Sequence, residues 1–177
     1  MTRSSALASN AFTGLAFTLL AGCASAPAPS AHEADRGFDS MQARGEQAMG
    51  VDQYTSTHVF DALPDGGRIE LQRDVDDAAG IARIRSHLRE IVEAFAAGDF
   101  STPAFVHMEA VDGADVMAEL RDEIAYTYRD LPRGGEVRIV TDDPRALRAI
   151  HEFMAFQRRD HRAGGAEHGD HGGTGGR

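Results

Sequence analysis

The sequence predicts an α+β fold, in which two strand-strand-helix units form one antiparallel sheet with the helices packed on one face. Two turns carry the prediction. Leu63-Pro64-Asp65-Gly66-Gly67 precedes the alternating run Arg68-Ile69-Glu70-Leu71-Gln72, and Leu131-Pro132-Arg133-Gly134-Gly135 precedes Glu136-Val137-Arg138-Ile139-Val140. Both read Leu-Pro-x-Gly-Gly-x-(Ile/Val)-x-(Leu/Ile), and period-two alternation after a glycine turn marks a hairpin. An Asp-Asp pair and an amphipathic segment then follow each hairpin.

The first strand is the β-favouring run holding Thr55, Thr57, Val59 and Phe60. After the hairpin, Asp74 or Asp76 serves as N-cap of a helix whose Ile81, Ile84, Leu88, Ile91, Val92 and Phe95 recur on one face, and Gly98 stops it. Asp99 to Gly113 contains the apolar patch Ala104-Phe105-Val106, read as an extra strand or a buried connection, with a short helix around Ala114 to Arg121. The second unit opens with Ile124 to Tyr128. Its helix starts with Asp143 as N-cap and Pro144 at the first helical position, and its apolar face uses Leu147, Ile150, Phe153, Met154 and Phe156. Gly67 and Gly135 are expected at positive φ in the two turns, where Val would cost roughly 1–3 kcal/mol.

Outside this body the ends are of a different kind. Arg3, the apolar run Ala11 to Leu20 and then Leu20-Ala21-Gly22-Cys23 resemble a bacterial lipoprotein signal, and the run is too short to stay as a spanning helix. The resemblance implies cleavage before Cys23, a diacylglycerol on the Cys23 sulfur and anchorage of the chain to a lipid bilayer. It also implies a place in the bacterial cell envelope, and Ala24 after the cysteine points to the outer membrane, facing the periplasm. The expected organisation is a signal peptide over 1–22, a lipidated, flexible tether over 23–48, one α+β domain over 49–162 and a disordered Gly/His-rich tail over 163–177. Within the tether, Gly37 to Ala48 is open between linker and short helix.

Composition narrows the function. The formal charge of −10 falls to −11 once Arg3 is removed with the leader, so nucleic acid is not an expected partner. No lysine is present, which excludes a Schiff-base or phosphate-loop lysine, and acylation of the single cysteine excludes a thiol nucleophile. Ser56, Ser86 and Ser101 lack a Gly-x-Ser-x-Gly setting. The protein is expected to be no enzyme.

Three groups of residues resemble a family of small, uncharacterised exported bacterial proteins. They are Met49-Gly50-Val51-Asp52-Gln53 with Thr57-His58-x-Phe60, then Gly98-Asp99-Phe100-x-x-Pro103 with Val106-His107, and finally Ala149-Ile150-His151 with Phe156-Gln157 and Asp160-His161. Several members carry a second histidine where Val59 stands here. The resemblance implies a single self-contained domain and no mechanism.

The remaining signal is histidine. Imidazole is the commonest metal ligand and thioether favours Cu(I), so copper, or else zinc, is the candidate cofactor. His151, Met154 and His161 fall on one helical stripe, and His58 or His107 can join them from elsewhere in the domain. Each has an ordinary reading too: Met154 as core, His151 as a ring bonded to a backbone carbonyl, His87 as a solvated helix residue. His151-Glu152-Phe153-Met154-Ala155 opens like His-Glu-x-x-His and fails at Ala155, which removes the metalloprotease reading. Two functions therefore stand side by side: a membrane-anchored metal-binding lipoprotein, and a non-catalytic structural or protein-interaction lipoprotein with no metal role. In the tail, His168 and His171 lie among carboxylates and form a further candidate for weak metal binding.

Overall fold

A computed structural model describes residues 31–163. The leader, Cys23 and the tail lie outside them. The elements run α1 (Ala31–Met49), a 3-10 turn (Gln53–Thr55), β1 (Ser56–Leu63), β2 (Gly66–Arg73), α2 (Ala78–Ala96), α3 (Ser101–His107), α4 (Ala114–Glu119), a 3-10 turn (Arg121–Glu123), β3 (Ile124–Leu131), β4 (Gly134–Thr141) and α5 (Pro144–His161). The four strands form one antiparallel sheet in the order β1-β2-β4-β3, with the helices packed against it, an α+β fold. No helix of the described residues is long and apolar enough to cross a membrane.

The two units are related in detail. Each hairpin element recurs 68 residues on, Ser56 to Ile124 and Gly66 to Gly134, and the two helix N-caps, Asp77 and Asp143, are 66 apart. Ile69 pairs with Val137, its own counterpart, so a pseudo-twofold axis passes through that pair at the centre of the sheet. The helices cross over: α2 lies on β3 and β4, and α5 on β1 and β2. Each unit thus packs its helix on the other unit's hairpin, and neither buries its apolar face alone.

The same symmetry fixes the helix side chains that hold the turns. Arg85 of α2 donates to the carbonyls of Leu131 (2.7 Å) and Gly134 (2.9 Å), and its counterpart His151 of α5 donates Nε2–H to the carbonyl of Leu63 at 2.9 Å. Arg158 adds a bond to the Phe60 carbonyl at 2.8 Å, so α5 also occupies polar backbone groups along edge strand β1.

Three expectations need correction. Residues 31–48 are helix rather than tether, with Met41 and Gln42 buried. The Ala/Pro/Ser composition ends at Ser30, and Phe38, Met41, Gly45 and Met49 then recur at helical spacing. Ala104-Phe105-Val106 is helical, inside α3, because a short apolar run carries no period of its own.

Gly67 and Gly135 lie in strands, and neither has positive φ. Their reason is close approach: a Cβ on Gly67 would sit 2.9 Å from Ile150 Cγ2 and 2.8 Å from Met154 Cε, and one on Gly135 would sit 2.6 Å from Tyr128 Cε2 and 3.1 Å from Leu88 Cδ1. Each glycine lets a helix of the crossed pair settle onto the sheet. Gly67→Val and Gly135→Val are each expected to cost about 1–3 kcal/mol through overpacking. The matched control is Gly37→Ala on exposed α1, where a Cβ meets nothing within 4 Å and the helix gains slightly. Thermal melts in which the strand variants matched that control would refute this packing account.

Candidate functional site

Pseudo-symmetry breaks where the crossed helices meet the first strand of each hairpin. Over the second hairpin Tyr126 of β3 meets Phe95 of the crossed helix α2 edge-on, ring centroids 6.0 Å apart, as part of an aromatic cluster. The counterparts over the first hairpin, by the same 68- and 66-residue offsets, are His58 of β1 and His161 of the crossed helix α5, with centroids 5.8 Å apart. Where one half of the domain packs aromatic carbon, the other holds a pair of imidazoles.

These rings line a cavity of ≈ 80 Å³ beneath α1, together with His87 of α2, His107 of α3 and a mainly apolar wall that includes Phe60, Leu71, Leu88, Val106 and Phe153. His58 is buried, at 7% exposure, and burial pushes its pKa down to about 4, with repulsion from His87 adding to the effect and Asp74 opposing it. His161 is pushed down to about 3, first by burial and then by its histidine neighbours His58 and His107. Both rings are neutral at pH 7, each with a lone pair available for a ligand.

Hydrogen bonds decide which nitrogens are free. His161 Nδ1 meets the side-chain amide of Gln53 at 2.8 Å, and His58 Nε2 lies 3.4 Å from Ser56 Oγ. His161 Nε2 and His58 Nδ1 bond to no other described residue. His107 is different: Nδ1 faces the Asp160 carboxylate at 3.1 Å and Nε2 faces Gln157 Oε1 at 3.2 Å, so both ring nitrogens already have a partner. Its ring stands 5.0 Å from that of His161 and serves as a wall rather than a ready ligand.

Of the sequence candidates, His58, His107 and His161 converge, and two do not. Met154 is fully buried core, and His151, bonded to the Leu63 carbonyl, holds a turn. The helical stripe fails because α5 sinks Met154 into the interior between them. His87, read as a solvated residue, instead lines the cavity, and burial lowers its pKa.

Gln53 and Gln157 were missed as site residues, although they stand in the motifs quoted above, as do the cavity-lining Met49, Phe60, Pro103 and Val106. Those motifs, scattered in sequence, meet at this cavity. A histidine in place of Val59 would not join it, because alternation along β1 sends residue 59 to the opposite face from His58 and Phe60.

Among the described residues no three His, Cys, Asp or Glu side chains are placed to hold one metal ion. No protein family, curated protein or solved structure matches the chain.

Proposed function

We propose that the protein is a non-catalytic lipoprotein of the bacterial cell envelope, anchored through acylated Cys23, that binds a single transition-metal ion between His58 and His161. The observation that carries this reading is the replacement of an aromatic pair by two neutral imidazoles, His58 buried and His161 half-buried, at pseudo-equivalent positions. Spacing supports it. An imidazole nitrogen about 2.0 Å from a metal puts its ring centroid about 3 Å away, so two rings sharing an ion stand roughly 5–6 Å apart. The observed 5.8 Å lies in that range. Size supports it as well: ≈ 80 Å³ is far below the roughly 300–1,000 Å³ of organic-ligand pockets.

The mature chain in detergent, dialysed against limiting copper or zinc, is expected to retain one ion, and His58→Phe/His161→Phe none. Truncation after Arg162 removes His168 and His171, and is expected to leave that ion in place. Retention by the double variant, or no binding by the parent, would overturn the reading. The bonds made by His107 and His151 favour the other function, a structural or interaction lipoprotein, for those two residues alone.

Anchorage has its own test. Cys23→Ser is expected to leave the precursor uncleaved and unlipidated, because a hydroxyl does not replace the thiolate that accepts the diacylglyceryl group. Unchanged detergent partitioning of that variant would defeat the assignment, and density fractionation of the parent tests the outer-membrane location.

A further inference from the structure

We infer that the ion is Cu(I), that the thioether of Met49 completes its coordination, and that copper binding therefore fastens helix α1 over the cavity. This rests on the reading that His58 and His161 hold a metal.

The ligand inventory excludes the usual zinc arrangements, which need three or four strong donors. Among the described residues no such group is assembled, His107 is occupied at both nitrogens, and the nearby Asp160 carboxylate is bonded to it. Two imidazoles remain, and Met49, at the end of α1, lines the same cavity. Nitrogen and thioether donors in low number suit soft Cu(I). Charge points the same way, since the cost of moving an ion from water into an apolar site grows with the square of its charge. A monocation pays about a quarter of the cost of Zn(II) or Cu(II), and no carboxylate on the cavity wall offsets the rest.

Met49 also links the site to the segment that leads back towards Cys23. Gly45, Ala48 and Met49 of α1 form one wall of the cavity. Besides the packing of buried Met41 and Gln42, the helix is held to the body by polar contacts: Arg44 Nε to the Val106 carbonyl at 2.7 Å, Tyr54 to Asp39 at 3.1 Å, and Arg162 to Asp35 at 3.1 Å, with Arg162 also stacked over Phe38. A ligand contributed by α1 adds a further bond that exists only in the loaded protein. The free energy of that bond is then shared between metal affinity and helix docking.

The test uses the mature full chain in detergent. Cu(I) is delivered under ascorbate and competed with bathocuproine disulfonate, and trypsin cleavage after Arg36 and Arg44 of α1 is followed with and without the ion. Met49→Leu keeps the volume and removes the sulfur. The parent is expected to bind Cu(I) in preference to Zn(II) and to become resistant at both arginines when loaded. Met49→Leu is expected to lose roughly 10- to 100-fold in Cu(I) affinity and most of the protection, with its metal-free melt unchanged. Equal Cu(I) affinity and protection in Met49→Leu, or tighter binding of Zn(II), would overturn this inference while leaving a His58–His161 metal site intact. Binding of neither ion by the parent would overturn the earlier reading itself.

Discussion

Without metal, the His58→Phe/His161→Phe chain is expected to melt above its parent by about 3–6 °C, and to hold no copper. Each Phe matches the aromatic character of its pseudo-equivalent, Tyr126 or Phe95, and the pair extends into a cavity of ≈ 80 Å³. At about 24 cal/mol per Å³, filling that volume is worth about 2 kcal/mol. The Gln53 amide loses its partner on His161, a cost of about 1 kcal/mol when the group can still reach water. The net gain of about 1 kcal/mol corresponds to a few degrees in a domain of this size. Calorimetry checks the sign. A higher melt with lost metal binding means the imidazoles are kept at the expense of stability, as expected of a binding site. A melt several degrees lower means the rings hold the fold together, and then the structural reading of the protein prevails.

Much of the scaffold was legible because local signals agreed with the tertiary arrangement. Asp143 and Pro144 open α5, Gly98 terminates α2 with φ 78°, and Ile84, Leu88, Ile91 and Phe95 form the buried face of α2, all by short-range rules. The N-cap of α2 is Asp77, next to the candidate Asp76 and three residues past Asp74, in a stretch with three aspartates where the helix phase sets the cap. The crossing of the helices was hidden. Nothing local in α2 says that it packs on β3 and β4 rather than on the hairpin preceding it.

That crossing is also why the site was only partly legible. His58 meets His161 because α5 lies over β1, more than a hundred residues away in sequence, while the in-helix stripe His151, Met154 and His161 looked more economical and was wrong. The repeat itself held the missing clue. Extended from the turn to the flanking strands and helices, it sets His58 against Tyr126 and His161 against Phe95, polar against aromatic at one position in each unit. Such a mismatch between local chemistry and core placement is where function is expected.

The metal-free parent is further expected to lose stability steeply on mild acidification, and the double Phe variant to lose far less. His58 and His161 have folded-state pKa values of about 4 and about 3, below the 6.5 of an unfolded chain. The folded state therefore resists protons that the unfolded state accepts, and stability falls as pH drops below 6.5 until the folded-state values are reached. Each group contributes a slope approaching 1.36 kcal/mol per pH unit, so by pH 4.5 the pair removes on the order of 3–5 kcal/mol, a large share of a typical domain's stability. His87, also lowered by burial, acts in the same direction. The carboxylates held below the usual aspartate range by hydrogen bonds, Asp52, Asp99, Asp130 and Asp143, act mostly at lower pH, which separates the two windows. Urea midpoints measured from pH 7.5 to 4.5 on parent and variant isolate the histidine contribution as their difference. Parallel curves would mean that the two imidazoles remain hydrated in solution and that the enclosed, mainly apolar setting, with the soft-metal chemistry argued from it, does not persist there.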